Sequence, residues 1–69
     1  MTIEEYRVKL GWSKAKLARE ADLDVGTLND AISGKRIYKA TAGKIANALS
    51  KGLGETISYK DLDGVNLID

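Results

Sequence analysis

The sequence predicts an all-α domain of four or five short helices, followed by a short C-terminal tail. Its 69 residues allow one small domain, and a chain of this length buries only about 60% of its unfolded surface. Leu, Ile, Ala and Val are frequent, proline is absent, and apolar residues recur at helical spacing behind residues that cap helices well. Glycines stand where three of these patterns stop, at Gly11, Gly34 and Gly52.

The first two helices are predicted from their capping residues. Thr2 and Glu5 have the spacing of a capping box, so a first helix is expected to begin after Thr2 and to end at Gly11. Ser13 can cap a second helix, and Trp12 before it is expected to pack in the core. The chain therefore opens with two short helices joined by a tight connection.

A third helix is predicted over residues 25–33. Asp24 can serve as its N-cap, and Gly34 is expected to end it. Residues 35–36 then follow as a short basic loop.

The fourth helix is predicted over residues 38–51, because its apolar residues form one stripe, and Gly52 is expected to end it. This gives a helical domain over residues 1–54. Residues 55–69 form an acidic tail that packs on the domain or on a partner subunit.

The tail is compatible with two structures. Residues 58–61 have the pattern of a capping box, which favours one short helical turn with Leu62 docked on the core. Ile57 and Tyr59 instead alternate like a strand, and residues 63–64 can turn the chain back along the aliphatic residues that follow. The sequence leaves both structures open.

The chain lacks the residues that most enzyme and metal sites need. It has no cysteine and no histidine, which removes the usual zinc ligands and the Ser–His and Cys–His nucleophile pairs. Its glycines are scattered and form no phosphate-binding loop, and a small domain offers little room for a deep cleft. We therefore predict a protein that is not an enzyme and that takes no cofactor and no small-molecule ligand.

The chain also lacks signals for export or membrane insertion. Its N-terminus carries Glu4 and Glu5 instead of a basic region before an apolar run. No apolar run approaches the ~20 residues that cross a membrane. The expectation is a soluble cytoplasmic protein with no membrane partner.

Charge is distributed unevenly along the chain. Residues 1–52 hold ten Lys or Arg against six Asp or Glu, a net charge of +4, whereas residues 53–69 have a net charge of −3. A basic body beside an acidic tail points to a polyanion partner for the body, although a mixed solvated surface explains the same charges.

Residues 17–36, LAREADLDVGTLNDAISGKR, carry the most informative pattern. Ala18 is small where two helices must cross, Asp22 stands at a sharp turn and tolerates the left-handed conformation, and Leu23 fills the corner. Three aliphatic residues of the next helix are expected to face inward: Leu28, Ala31 and Ile32. This spacing is typical of a helix-turn-helix.

These residues carry a resemblance to a known family. Residues 13–36 resemble the helix-turn-helix of the Cro/repressor-type (XRE-like) DNA-binding family, and residues 37–53, IYKATAGKIANALSKGL, resemble the helix that follows it there. The likeness spans residues 2–53, with departures at Asp22, where the family usually has glycine, and at Lys14, where glutamine is common. It implies a compact four- to five-helix domain of lambda-repressor-like type and a Cro-like transcriptional regulator of a phage or mobile element.

The resemblance also implies how DNA would be bound. The helix over residues 25–33 would lie in the major groove, and the helix that begins near Lys14 would lie across the DNA backbone. Asn29 can pair with adenine, Asp30 can accept from cytosine, and Gly26 would let the helix backbone approach a groove wall. The residues expected to contact bases are Val25, Gly26, Thr27, Asn29 and Asp30.

Phosphate contacts are expected at the ends of these helices. Lys14 lies at a helix N-terminus, where backbone N–H groups also favour an anion. Further basic and hydroxyl side chains follow the recognition helix, although each can also be an ordinary solvated group. The residues expected to contact phosphates are Lys14, Ser33, Lys35, Arg36, Tyr38 and Lys39.

Double-stranded DNA is the expected partner, and a homodimer is a second expectation. One such domain makes few contacts, and specific binding in this class usually needs two copies on a pseudo-palindromic site. Aliphatic residues of the tail, Val65, Leu67 and Ile68, can pack on their own domain or join two subunits. Two alternatives stay open: a protein-interaction module on the same fold, and an excisionase-like factor that bends DNA without controlling a promoter.

Overall fold

Four α-helices make up most of the fold. A computed structural model of the protein describes residues 1–68. The elements in chain order are α1 (Ile3–Leu10), α2 (Lys14–Glu20), α3 (Val25–Ile32), β1 (Arg36–Tyr38), α4 (Lys39–Leu53), a 3-10 turn (Tyr59–Asp61) and β2 (Asn66–Ile68). The mostly helical fold predicted from the sequence is confirmed, and the pair of short strands is an element that the sequence did not predict.

Capping residues start the first three helices as predicted. Thr2 and Glu5 form the complete capping box: the backbone N–H of Glu5 donates to Thr2 Oγ1 at 3.1 Å, and the N–H of Thr2 donates to Glu5 Oε1 at 2.8 Å. The side chains of Ser13 and Asp24 accept backbone N–H groups of α2 and α3 in a similar way. These bonds satisfy N–H groups that have no partner inside a helix.

A left-handed glycine ends α1 as predicted. Gly11 has a φ of 72°, and its N–H donates to the carbonyl of Val8 at 3.0 Å. The N–H of Trp12 donates to the carbonyl of Arg7 at 3.2 Å. This pair of bonds is the Schellman motif, which turns the chain sharply towards α2.

The bounds of α4 differ from the prediction of residues 38–51. The helix begins at Lys39, continues through Gly52 to Leu53, and is capped by Gly54, which has a φ of 71°. A Cβ atom on Gly52 would lie only 2.7 Å from the ring of Trp12. Gly52 is therefore a helix-interior residue whose missing side chain makes room for Trp12, which packs against the core as expected.

Gly52→Ala is expected to destabilise the protein, whereas Gly43→Ala in the same helix is expected to stabilise it. Alanine favours a helix over glycine by about 1 kcal/mol. A Cβ atom meets nothing within 4 Å at Gly43, so the gain is kept there. At Gly52 the Cβ atom meets a rigid indole ring, and overpacking of this kind costs about 1–3 kcal/mol.

Chemical denaturation of the two variants measures these changes. We expect a net loss of up to about 2 kcal/mol in the free energy of unfolding for Gly52→Ala and a gain of up to about 1 kcal/mol for Gly43→Ala. Equal stabilisation by both substitutions would mean that the ring of Trp12 does not pack on this turn of α4.

All four helices and the tail contribute to one core. Its largest fully buried side chains are Leu17, Leu28, Ile45 and Leu49. Ile57 and Leu62 of the tail are buried in the same core, and the N–H of Ile57 donates to Ser50 Oγ of α4 at 2.9 Å. No helix within residues 1–68 is both long enough and apolar enough to cross a membrane.

The tail contains the predicted short helical turn. Ser58 and Asp61 form a capping box around a 3-10 turn, and Leu62 docks on the core behind it. The alternative, in which Ile57 and Tyr59 lie in a strand of a hairpin, is wrong. The side chains of the capping box satisfy the backbone groups that such a strand would have to pair.

The strand pair joins the tail to the segment after α3. β1 and β2 are parallel, with Arg36 opposite Asn66, Ile37 opposite Leu67 and Tyr38 opposite Ile68. The prediction that residues 35–36 form a basic loop is therefore wrong for Arg36, which begins a strand. Ile37 is buried between two exposed neighbours, so β1 follows the alternation of a half-buried strand.

Candidate nucleic-acid interface

α2 and α3 meet at a sharp corner, as predicted. Asp22 has a φ of 57°, and it is the one non-glycine residue in the described part of the chain with a left-handed backbone. The N–H of Leu23 donates to the carbonyl of Ala18 at 2.8 Å, and Ala18 is buried in the core. The corner fixes the direction in which α3 leaves α2.

Asp22→Val is expected to lower the free energy of unfolding by about 1–2 kcal/mol, because left-handed backbone is most costly for β-branched residues. Asp22→Gly is the matched control, since glycine adopts this conformation without steric cost. We expect the glycine variant to be at least as stable as the wild type in thermal and chemical denaturation. A valine variant as stable as the wild type would contradict the left-handed corner.

The first turn of α3 is held by Asp24. Asp24 Oδ1 accepts the backbone N–H of Thr27 at 2.6 Å. The pKa of the Asp24 carboxyl is lowered, chiefly by this hydrogen bond from the Thr27 backbone. The ionised carboxylate also complements the positive end of the helix dipole, so the start of α3 is fixed before any ligand arrives.

The two sides of α3 differ as the helical period predicts. Leu28 and Ala31 are buried, with exposed fractions of 0% and 1%, and Ile32 packs against the core beside them. Gly26 and Asn29 are exposed on the other side of the helix. The structure thus presents the amide of Asn29 and the bare backbone of Gly26 on an outer surface that no large apolar side chain covers.

The remaining base-contact candidates differ in exposure. Val25 is 40% exposed at the helix start, and Thr27 and Asp30 are half-buried. Asp30 Oδ1 lies 3.4 Å from Lys35 Nζ, and the Lys35 side chain is largely exposed whereas that of Asp30 is half exposed. An exposed ion pair adds little to stability, but Lys35 offsets a negative charge that would otherwise repel a nearby phosphate.

The end of α3 is a Schellman motif. Gly34 has a φ of 86°, its N–H donates to the carbonyl of Ala31 at 3.4 Å, and the N–H of Lys35 donates to the carbonyl of Asp30 at 3.0 Å. Ser33 Oγ also donates to the carbonyl of Asp30, at 3.1 Å. The hydroxyl proton of Ser33 is therefore engaged inside the helix and would have to leave this bond to reach a phosphate.

Three of the other phosphate-contact candidates follow one another closely. Arg36 and Tyr38 lie on the exposed side of β1, on either side of the buried Ile37, and Tyr38 is 65% exposed. Lys39 is the exposed first residue of α4. Two cations and one phenol thus lie on the short segment that follows α3.

Lys14 occupies a different position. It is the exposed first residue of α2. The pKa of Glu4 on α1 is lowered, first by a hydrogen bond from Arg7 and in smaller part by the charges of Arg7 and Lys14. Lys14 therefore lies at the N-terminus of α2, as the sequence predicts, with an acidic side chain of α1 within electrostatic range.

Asn66 lies beside this segment and was not predicted from the sequence. Asn66 Nδ2 donates to the carbonyl of Gly34 at 2.6 Å, across 32 positions of sequence. No local pattern marks this residue, because its partner is set by the pairing of β1 with β2. Only a prediction that the tail returns to the end of α3 could have found it.

Comparison with known proteins assigns the chain to a family. The family model described as Helix-turn-helix matches residues 3–59, which is most of the chain. The chain belongs to the helix-turn-helix family. The match supports the Cro/repressor type within it, a class of DNA-binding regulators and not of enzymes. Neither the curated proteins nor the solved structures gave a significant match.

The matched range covers the whole DNA-binding motif of this helix-turn-helix domain. It includes α1 to α4 and β1, and it ends at the start of the 3-10 turn. β2 and the residue that contacts Gly34 lie outside it. The contact between the tail and the end of α3 is thus a feature of this chain that the family match does not cover.

Proposed function

We propose that this helix-turn-helix protein is a sequence-specific regulator of the Cro/repressor type that inserts α3 into the major groove of double-stranded DNA. The observation that supports the proposal is that α3 has one side buried in the core and an opposite side exposed to solvent. Leu28 anchors the helix in the core, and Asn29 and Gly26 are exposed on the outer side. The major groove is about 12 Å wide and admits one α-helix.

The side chains on the outer side of α3 supply the chemistry of base recognition. The amide of Asn29 can form two hydrogen bonds with adenine, and the carboxylate of Asp30 can accept from the amino group of cytosine. The methyl groups of Val25 and Thr27 can contact the methyl group of thymine. Gly26 has no side chain to hold the helix backbone away from the groove wall.

The proposed phosphate contacts flank this helix. Lys14, Lys35, Arg36 and Lys39 carry the charge, and the hydroxyl groups of Ser33 and Tyr38 can add hydrogen bonds. Their role is to fix the position of α3 along the groove, whichever bases lie there. If Lys35 leaves its ion pair with Asp30 and binds a phosphate instead, the carboxylate of Asp30 becomes available to a base.

We further propose that two copies bind a pseudo-palindromic site and that the tail joins them. One domain makes few contacts, and half-sites one helical turn apart are the usual solution in this class. Val65 and Leu67 pack on their own core, which leaves the half-buried Ile68 and the open edges of the strand pair for a second subunit. Sedimentation that finds one copy both free and on DNA would contradict the dimer.

Selection of bound sites from random duplex DNA tests the proposed function. We expect an enriched half-site, repeated at a spacing of about 10 base pairs, and a footprint that covers both copies. Binding without enrichment, with affinity that falls steeply as salt rises, would instead support an architectural factor. The absence of binding to any duplex would leave the protein-interaction alternative.

A further inference from the structure

The backbone between α3 and β1 is held by the far end of the chain. Asn66, the first residue of β2, donates its side-chain amide to the carbonyl of Gly34 at 2.6 Å. Asn66 is also the strand partner of Arg36. One residue of the tail therefore contacts the chain on both sides of Lys35.

The Schellman motif at the end of α3 gives the carbonyl of Gly34 no partner inside the helix. The Schellman motif uses the N–H groups of Gly34 and Lys35, which donate back into the helix. Because the carbonyl of Gly34 accepts from Asn66 Nδ2, this carbonyl and the N–H groups of Gly34 and Lys35 all have partners. A Cβ atom on Gly34 would lie 3.6 Å from Asn66 Nδ2, so the two residues are in close contact.

We propose that Asn66 is a positioning residue for DNA binding, which holds the backbone of residues 34–36 so that Lys35 and Arg36 reach two phosphates together. This inference rests on the proposed function. Asn66 carries no charge, and its role does not require contact with DNA. It acts on DNA through the two cations whose backbone it fixes.

The physical basis is the entropy of ordering. A segment that is free before binding loses conformational freedom when its side chains engage phosphates, and this loss weakens binding. Asn66 imposes the order in the free protein. Because Asn66 is exposed, its hydrogen bond contributes little to global stability, and the domain is expected to stay folded without it, with Ile37 still buried in the core.

Asn66→Ala is the direct test, measured on the enriched duplex as affinity against salt concentration. We expect affinity to fall about 5- to 30-fold, because without the fixed backbone the cost of ordering Lys35 and Arg36 is no longer offset and one or both phosphate contacts are not formed. We also expect the slope of log K against log salt to become shallower by about 1–2, because each lost phosphate contact removes about 0.9. Asn66→Ala removes no charge, so a change in the salt slope would mean that Lys35 or Arg36 has lost a phosphate contact. Loss of a direct contact between the Asn66 amide and DNA would lower affinity without changing the slope.

Two control variants show whether the effect is specific to Asn66 and depends on Lys35 and Arg36. Asn47→Ala removes another exposed asparagine, on α4, and should leave affinity and slope unchanged. In a Lys35→Ala, Arg36→Ala background, Asn66→Ala should cause no further loss. Thermal unfolding of each variant checks that the protein is folded under the binding conditions.

The outcomes separate this inference from the proposed function. If the wild type binds DNA and Asn66→Ala binds with the same affinity and slope, the positioning role is wrong and the proposed function stands. Lower affinity at an unchanged slope would likewise overturn the positioning role and assign Asn66 a direct contact. If the wild type binds no duplex, the proposed function fails and this inference fails with it.

Discussion

Leu28→Ala is expected to lower the free energy of unfolding by about 2–5 kcal/mol. Leu28 is fully buried, and it is the main anchor of α3 in the core. Truncation removes the transfer free energy of its methyl groups and leaves a cavity behind them. A domain of this size has a total stability of roughly 3–10 kcal/mol, so the substitution takes a large share of it.

Val8→Ala is the matched control for this prediction. It also removes methyl groups from an aliphatic helix residue, but the side chain of Val8 is 66% exposed on α1. We expect a change within about 0.5 kcal/mol. Urea denaturation of both variants gives the comparison, and similar small losses for the two would mean that α3 is not anchored through Leu28.

Asn29→Ala is expected to reduce discrimination between the preferred site and a site changed at the contacted base. The expected loss is about 1–3 kcal/mol, or roughly 5- to 150-fold in relative affinity. The reason is that a bidentate amide contact distinguishes adenine from the other bases, whereas phosphate contacts do not. Because Asn29 is exposed, the variant should unfold at nearly the wild-type temperature.

Arg36→Ala is the matched control for base recognition. Loss of a phosphate contact should weaken all duplexes by a similar factor and make the salt slope shallower by about 1. Competition binding with a panel of single-base variants separates the two patterns. Uniform weakening by Asn29→Ala would show that its amide reads no base.

The helices could be predicted from sequence because their signals are local. Thr2, Ser13 and Asp24 cap helices within three residues of their own positions, and the left-handed glycine at position 34 ends α3 one turn after its last buried residue. Asp22 could be assigned to the corner because few residues other than glycine tolerate that backbone. The inward and outward sides of α3 then follow from the helical period.

The end of α4 could not be predicted in this way. Gly52 and Gly54 are two residues apart, and either can end a helix by its local pattern. The choice depends on Trp12, which is distant in sequence and packs where Gly52 has no side chain. The local pattern therefore placed the end two residues too early.

The strand pair and the contacts around the candidate interface are tertiary in origin. β1 and β2 have three residues each and lie on opposite sides of α4 in sequence, so no periodicity marks their pairing. The hydrogen bond from Asn66 to Gly34 is likewise set by three-dimensional position. The sequence predicted which side chains lie at the candidate interface. The fold determines which of these side chains already have hydrogen-bond or ion-pair partners within the protein.

Amide chemical-shift mapping by NMR, with the selected duplex titrated into the protein, tests the central claim most directly. If α3 enters the groove, the largest shifts fall on its outer side, at Gly26 and Asn29, and on the segment that holds Lys35. The far side of α4, around Lys44 and Lys51, stays unperturbed. Shifts concentrated on that far side, with α3 unchanged, would contradict the claim.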